Sequence, residues 1–234
     1  MRPIKYTSAG VLLALTGLVV STSALAGAFG IVPYVEVGVQ HDSNVFRVEN
    51  DADAQTVIGD SPRDDTIGRG AIGVAAEWPI SRQRLVLAGE FSEFRYNRFD
   101  QLDHSENEVR AALEFAVGPA VNGTLSYERE RRQDSFDNLD SAQSNFETEN
   151  NPKIEVFVEV TPSWRVRTQA GHLRLDQSLD TQQQFNFREN RLVVEVQHLG
   201  VPGSIFGVGL EGVDGEYPDR PEGGILSREF TQGT

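Results

Sequence analysis

Ile154-Glu155-Val156-Phe157-Val158-Glu159-Val160 decides the fold. Apolar and polar residues alternate through it, and a strand places successive side chains on opposite faces. Glu108-Val109-Arg110-Ala111-Ala112-Leu113-Glu114-Phe115 and Tyr34-Val35-Glu36-Val37-Gly38-Val39-Gln40 follow the same pattern. One set is aliphatic or aromatic; the other is Glu, Arg, Gln and Gly. Working outward, the alternation predicts strands near 34–41, 66–78, 83–96, 107–117, 121–130, 152–160, 164–173, 189–198 and 205–213, with a tenth from 228 onward.

The breaks between these segments fall into two length classes. Pro79-Ile80-Ser81-Arg82, Gly118-Pro119-Ala120, Thr161-Pro162-Ser163 and Leu199-Gly200-Val201-Pro202-Gly203 are short, and each holds a proline, which removes a ladder donor. The intervening breaks are long and polar, as in Arg131 to Asn151 and Arg174 to Arg188; Asp137-Asn138-Leu139-Asp140-Ser141 has the composition of a solvated loop. Short turns at one end and long loops at the other are the habit of transmembrane β-barrels. The predicted fold is therefore all-β, an antiparallel transmembrane β-barrel of about nine or ten strands. Bacterial single-chain barrels have even strand numbers and no edges. Because the last segment is short, residues 27–234 are expected to be an incomplete barrel domain.

Composition bounds the setting. Arg2 and Lys5, the apolar run Val11 to Val20 and the site Ala24-Leu25-Ala26 predict an export signal over residues 1–26. No later run approaches the ~18 apolar residues of a membrane helix. The chain has no cysteine, which excludes a lipoprotein anchor, a disulfide framework and thiolate chemistry. The net charge is −14, so nucleic acid is not an expected partner. The expected location is the outer membrane of a Gram-negative cell, with membrane lipid as the first partner.

Charges must avoid hydrocarbon, so the two faces can be assigned. The water-lined lumen is expected to hold Glu36, Arg69, Glu77, Arg84, Glu90, Arg110, Glu114, Glu155, Glu159, Arg165, Arg167, Glu195 and Glu211. The lipid face is expected to hold Val35, Val37, Val39, Ile72, Val74, Leu85, Leu87, Phe91, Val109, Leu113, Leu125, Ile154, Val156, Val158, Leu192, Val194, Val196, Val208 and Leu210, among others. Trp78 and Trp164 flank short turns and are candidates for an aromatic belt.

The motif His41-Asp42-Ser43-Asn44-Val45-Phe46-Arg47, entered through Val32-Pro33-Tyr34, carries a family resemblance. With Asp64-Asp65-Thr66-Ile67, Ser81-Arg82-Gln83-Arg84-Leu85, Arg95-Tyr96-Asn97-Arg98-Phe99 and Leu102-Asp103, it resembles the EpsL-type outer-membrane β-barrel proteins of exosortase-associated exopolysaccharide operons. The resemblance covers about residues 32–103. It implies a role in exopolysaccharide biosynthesis or export, with the polymer and other export proteins as partners.

No catalytic, cofactor or metal constellation is legible. Glu155 and Glu159 share a face, but glycoside hydrolysis needs two carboxylates flanking a sugar. His41, His104, His172 and His198 lack ligand spacing and are expected at the surface or rim. Asp51-Ala52-Asp53 lacks the glycine and the bidentate glutamate of a calcium loop. Asp42, Ser43, Asn44 and Arg47 admit two readings: a side-chain-capped loop start, or a rim contact for sugar hydroxyls with Arg47 meeting an acidic polymer. Two functions fit the whole: a polar passage or docking site for an exported polymer, or a structural or adhesive barrel with a closed lumen and functional loops.

Overall fold

The computed structural model describes residues 15–16, 29–48, 55, 59, 63–136, 143–201, 203–221 and 229–233. The fold is all-β. The strands are β1 (Leu15–Thr16), β2 (Gly30–Asp42), β3 (Asp65–Ile80), β4 (Gln83–Tyr96), β5 (His104–Val117), β6 (Val121–Gln133), β7 (Phe146–Thr161), β8 (Trp164–Gln177), β9 (Phe187–Leu199), β10 (Ile205–Glu216) and β11 (Glu229–Gly233). They form one antiparallel sheet in chain order, so each strand pairs with its sequence neighbours. Two 3-10 turns, Asp100–Leu102 and Asp180–Phe185, sit in the long loops. No described helix is long and apolar enough to cross a membrane.

The ten strands expected from the alternation are β2 to β11. They run further toward the long loops than the alternation does. β6 continues to Gln133 past Glu130, β7 starts at Phe146 ahead of Pro152, and β8 reaches Gln177 past Leu173. In these extensions polar residues dominate both faces, Phe146 and Leu175 apart, so the period-two signal fades while the backbone ladder persists. The expected leader lies outside the described residues except Leu15–Thr16, which pair with Val37 and Glu36 at the outer side of β2. The Asp51-Ala52-Asp53 and Asp137–Ser141 segments and Pro202 also lie outside them.

Two prolines lie inside strands: Pro79, expected in a strand-ending turn, and Pro152, expected at the start of its strand. Pro79 lies inside β3 opposite Arg84. Pairing with β2 has already stopped at Glu77, so one side of β3 needs no donor there. In β7, Asn151 and Pro152 have no partner in β8, although the register is the same on either side, at Asn150↔Arg174 and Lys153↔Gly171. The missing N–H thus costs only one local gap. Ser81 begins the two-residue turn between β3 and β4 with φ 58°, the positive value that primed hairpin turns require.

The sheet is not closed: among the described residues no pairing joins β11 to β2. The buried hydrophobic core lies in the long loops, not beneath the sheet. Val45, Phe46, Phe99, Leu102 and Phe136 pack together, with Val48 and Tyr96 against them. Phe46 meets the rings of Phe99 and Phe136 with centroids 4.9 Å apart in both cases. Asp65, 3% exposed, accepts backbone N–H groups of Thr66, Arg98 and Phe99, tying the loop after β4 to the start of β3. Asn145, fully buried, accepts the Leu179 N–H and donates to Gln177 at 2.6 Å. The long breaks therefore contain packed structure where a solvated loop was expected, because a few large apolar residues are spread thinly through polar sequence.

Candidate functional site

Directly opposed residues of an antiparallel pair share a face. Tracing the register from strand to strand therefore assigns every side chain. Glu36, Arg69, Glu77, Arg84, Glu90, Arg110, Glu114, Glu155, Glu159, Arg165, Arg167, Glu195 and Glu211 all fall on one face. The candidate functional site is this polar face.

Its charges are knitted into cross-strand networks. Arg69 spans Glu36 at 2.7 Å and Glu90 at 2.5 Å, and also donates to Ser92 Oγ. Tyr34 donates its hydroxyl to the second oxygen of Glu90 at 2.7 Å. Arg84 holds Glu114 through both oxygens and reaches Glu77 at 3.0 Å. Arg167 bonds Glu155 at 2.6 Å, Gln169 at 2.6 Å and Glu195 at 3.4 Å. Arg165 donates to Gln197, which in turn donates to Glu195 at 2.9 Å. Arg191 bridges Glu189 and Glu211. Glu159 stands opposite Arg165 but forms no ion pair with it.

One row of this face is unusual. Glu90, Glu108, Glu130 and Glu149 lie directly opposite one another on β4 to β7. Opposed like charges destabilise a sheet. Arginines from neighbouring rows offset them: Arg69 pairs with Glu90, Arg110 with Glu108, and Arg132 with Glu130. Most of these pairs are partly exposed, so each contributes no more than about 1 kcal/mol. Their structural effect is to occupy the space above the sheet with ordered side chains.

The other face is apolar and exposed. Trp78 and Trp164 both stand on it at the short-turn end, Trp78 against Phe29 and Trp164 against His198. A continuous row of valines crosses six strands: Val117, Val121, Val158, Val166, Val196 and Val208. The alternation placed Val117, Val158, Val196 and Val208 on this face singly, without Val121 and Val166, and could not align them, because register depends on tertiary pairing.

The rim motif is used for its own loop. Asp42 Oδ1 accepts the Asn44 N–H at 2.9 Å and the Arg47 guanidinium at 2.8 Å. Asn44 exchanges two hydrogen bonds with the Val48 backbone. Arg47 adopts φ 57°, and Ser43 lies within the turn. Of the two readings, this geometry favours the loop start, with Phe46 as the anchor it presents to the core. One histidine also departs from expectation. The His104 side chain is 5% exposed and stacks on Phe94 at 4.8 Å, so it is a packing residue and not a rim group.

Three cross-strand contacts escaped the sequence reading. The Tyr34, Phe115 and Phe230 rings lie over Gly73, Gly123 and Gly215, their directly opposed partners. A Cβ on any of these glycines would overlap the ring. Gly73 and Gly215 belong to the polar set of their strands and Gly123 to the apolar set, and in neither set does the alternation hint that an aromatic ring covers the glycine. Compared with family models, with curated proteins and with solved structures, the chain matches none.

Proposed function

We propose that this chain is an outer-membrane β-barrel protein that serves exopolysaccharide biosynthesis or export, its polar face lining the interior. The supporting observation is the slant of the apolar band. On β2 the exposed band is centred on Val35, and on β10 on Val208. Pairing carries Val35 through Ile72 and Phe91 to Asn107 on β5, whereas the row through Val208 reaches β5 at Val117. The band thus descends ten residues between β2 and β10. At about 3.3 Å per residue and about 4.8 Å per strand, that is about 33 Å in about 38 Å, a slant of about 40°. A barrel whose strands tilt by about 35–45° in a bilayer requires an apolar belt with this slant relative to its hydrogen-bonded rows. A flat sheet packed on another layer has no such requirement.

The ten strands β2 to β11 alternate in direction, so β2 and β11 run antiparallel to each other at the two edges of that set, with only Leu15–Thr16 paired on the outer side of β2. Closure through either edge therefore stays within one antiparallel ladder. The polysaccharide assignment rests on the resemblance of residues 32–103 to EpsL-type proteins. The Arg–Glu networks favour a second reading: a structural barrel whose interior is closed by ion pairs. Deletion of the gene in its host, followed by quantification of secreted and cell-retained polysaccharide, tests the first. Retained polymer with lost secretion is the expected result, and unchanged secretion would refute it. Planar-bilayer conductance then separates a passage from a closed interior.

A further inference from the structure

Beyond the apolar band, toward the long loops, the outward face changes character. The row through Arg129 on β6 runs on through Asn150 and Arg174 to Arg188 on β9. Arg131 stands two residues further along β6, on the same face. On β6 to β11 this end of the outward face carries these four guanidiniums and four carboxylates, Asp176, Asp214, Glu216 and Glu229, the last three gathered on β10 and β11. Arg174 pairs with Asp176 at 2.8 Å, and Arg188 with Glu216 at 3.4 Å. Arg131 donates to the Ser105 carbonyl and lies 4.1 Å over the Phe146 ring. Arg129 is exposed and makes no hydrogen bond or ion pair among the described residues.

We propose that Arg129, Arg131, Arg174 and Arg188 bind the phosphates of anionic lipid headgroups around the long-loop end. The inference rests on the membrane reading above. Its second support is height. Arg129 follows Tyr127, the last exposed apolar residue of the β6 band. Two residues at about 3.3 Å, tilted by about 40°, lift it about 5 Å above the belt, and Arg174 and Arg188 stand about 10 Å above it. Arg129 stands within the headgroup layer, which adds about 5–8 Å on each side of the hydrocarbon, and Arg174 and Arg188 stand just outside it, with side chains long enough to reach back into it. Guanidinium is the side chain best shaped to hold phosphate through two donors, and two of these four keep donors beyond their carboxylate pairs. The patch faces outward, continuous with the apolar band and on the side away from the polar face. An occupant that lies against both is a lipid.

The test uses the purified chain in vesicles of phosphatidylcholine alone and of phosphatidylcholine with diphosphoryl lipid A. After mild detergent extraction, the lipid A that co-purifies is quantified. Enrichment over the bulk lipid is expected, lost by roughly fivefold for each charge removed in Arg129→Gln, Arg174→Gln and Arg188→Gln. Arg82→Gln, at the short-turn end, should retain the enrichment. If the triple variant does not fold, Arg129→Gln alone supplies the reading, because it breaks no bond. Equal enrichment in wild type and Arg129→Gln overturns the proposal while leaving the membrane reading intact. Displacement of the lipid by excess inorganic phosphate would overturn it in favour of a soluble-anion site. Failure to insert into either vesicle would overturn the membrane reading and this inference together.

Discussion

Leu125 and Thr124 are adjacent in sequence and stand on opposite faces of β6, which makes them a sharp probe of the two-faced sheet. Leu125 is 50% exposed on the apolar side, flanked directly by Leu113 and Ile154. It lies inside the band, with Val121 below it and Tyr127 above it. If lipid covers this face, Leu125→Arg places a cation near mid-depth at about 2–4 kcal/mol. That shifts the folding equilibrium by roughly 30-fold to 700-fold. If water covers it, only half of the ~1.5–3 kcal/mol for burying a leucine is at stake, about 1 kcal/mol. Thr124 stands between Glu114 and Glu155 on the polar face. Thr124→Arg adds a cation beside two carboxylates already held by Arg84 and Arg167, at a cost expected below about 1 kcal/mol. Urea titration in lipid vesicles, followed by Trp78 and Trp164 fluorescence and by heat-modifiable migration on SDS gels, measures both. Leu125→Arg should lose its midpoint while Thr124→Arg stays near wild type. Equal effects would refute the face assignment, since a one-residue slip exchanges the two faces.

Gly73→Val should collide with the Tyr34 ring and break the Tyr34–Glu90 hydrogen bond, lowering stability by about 1–3 kcal/mol; the double variant with Tyr34→Ala should recover part of it in the same titration, and no recovery would place the damage elsewhere. The Asp103 carboxyl is held below its ordinary value of 3.8, first by the Tyr96 backbone N–H and then by the Arg95 guanidinium. A depressed carboxylate pKa means that the unfolded chain binds more protons, so this contribution is present above the unfolded value and is lost as pH falls through the folded one. Protease cleavage of the 97–103 loop should therefore rise only below about pH 4; Asp103→Asn should cleave readily at neutral pH and lose that dependence.

The sequence alone determined the class of secondary structure, the number of long strands, the two classes of connection and the common face of the thirteen charged residues from Glu36 to Glu211 that the alternation assigned, but not the outward arginines beyond the apolar band. Those properties are local: alternation has period two, and a turn announces itself within a few residues. Tertiary structure decided what depends on pairing across distance. Only the register could align Val117 with Val208 across six strands, place Glu90, Glu108, Glu130 and Glu149 in one row, or show the apolar band descending between β2 and β10. The loop core was hidden for a related reason. Phe46, Phe99 and Phe136 sit on three different loops and meet only once the sheet has brought those loops to one end. Asp65 entered the sequence reading only as part of Asp64-Asp65-Thr66-Ile67, yet its carboxylate is buried against backbone donors from the neighbouring loop. Composition reports polarity averaged over a segment, whereas burial depends on which few side chains the fold gathers.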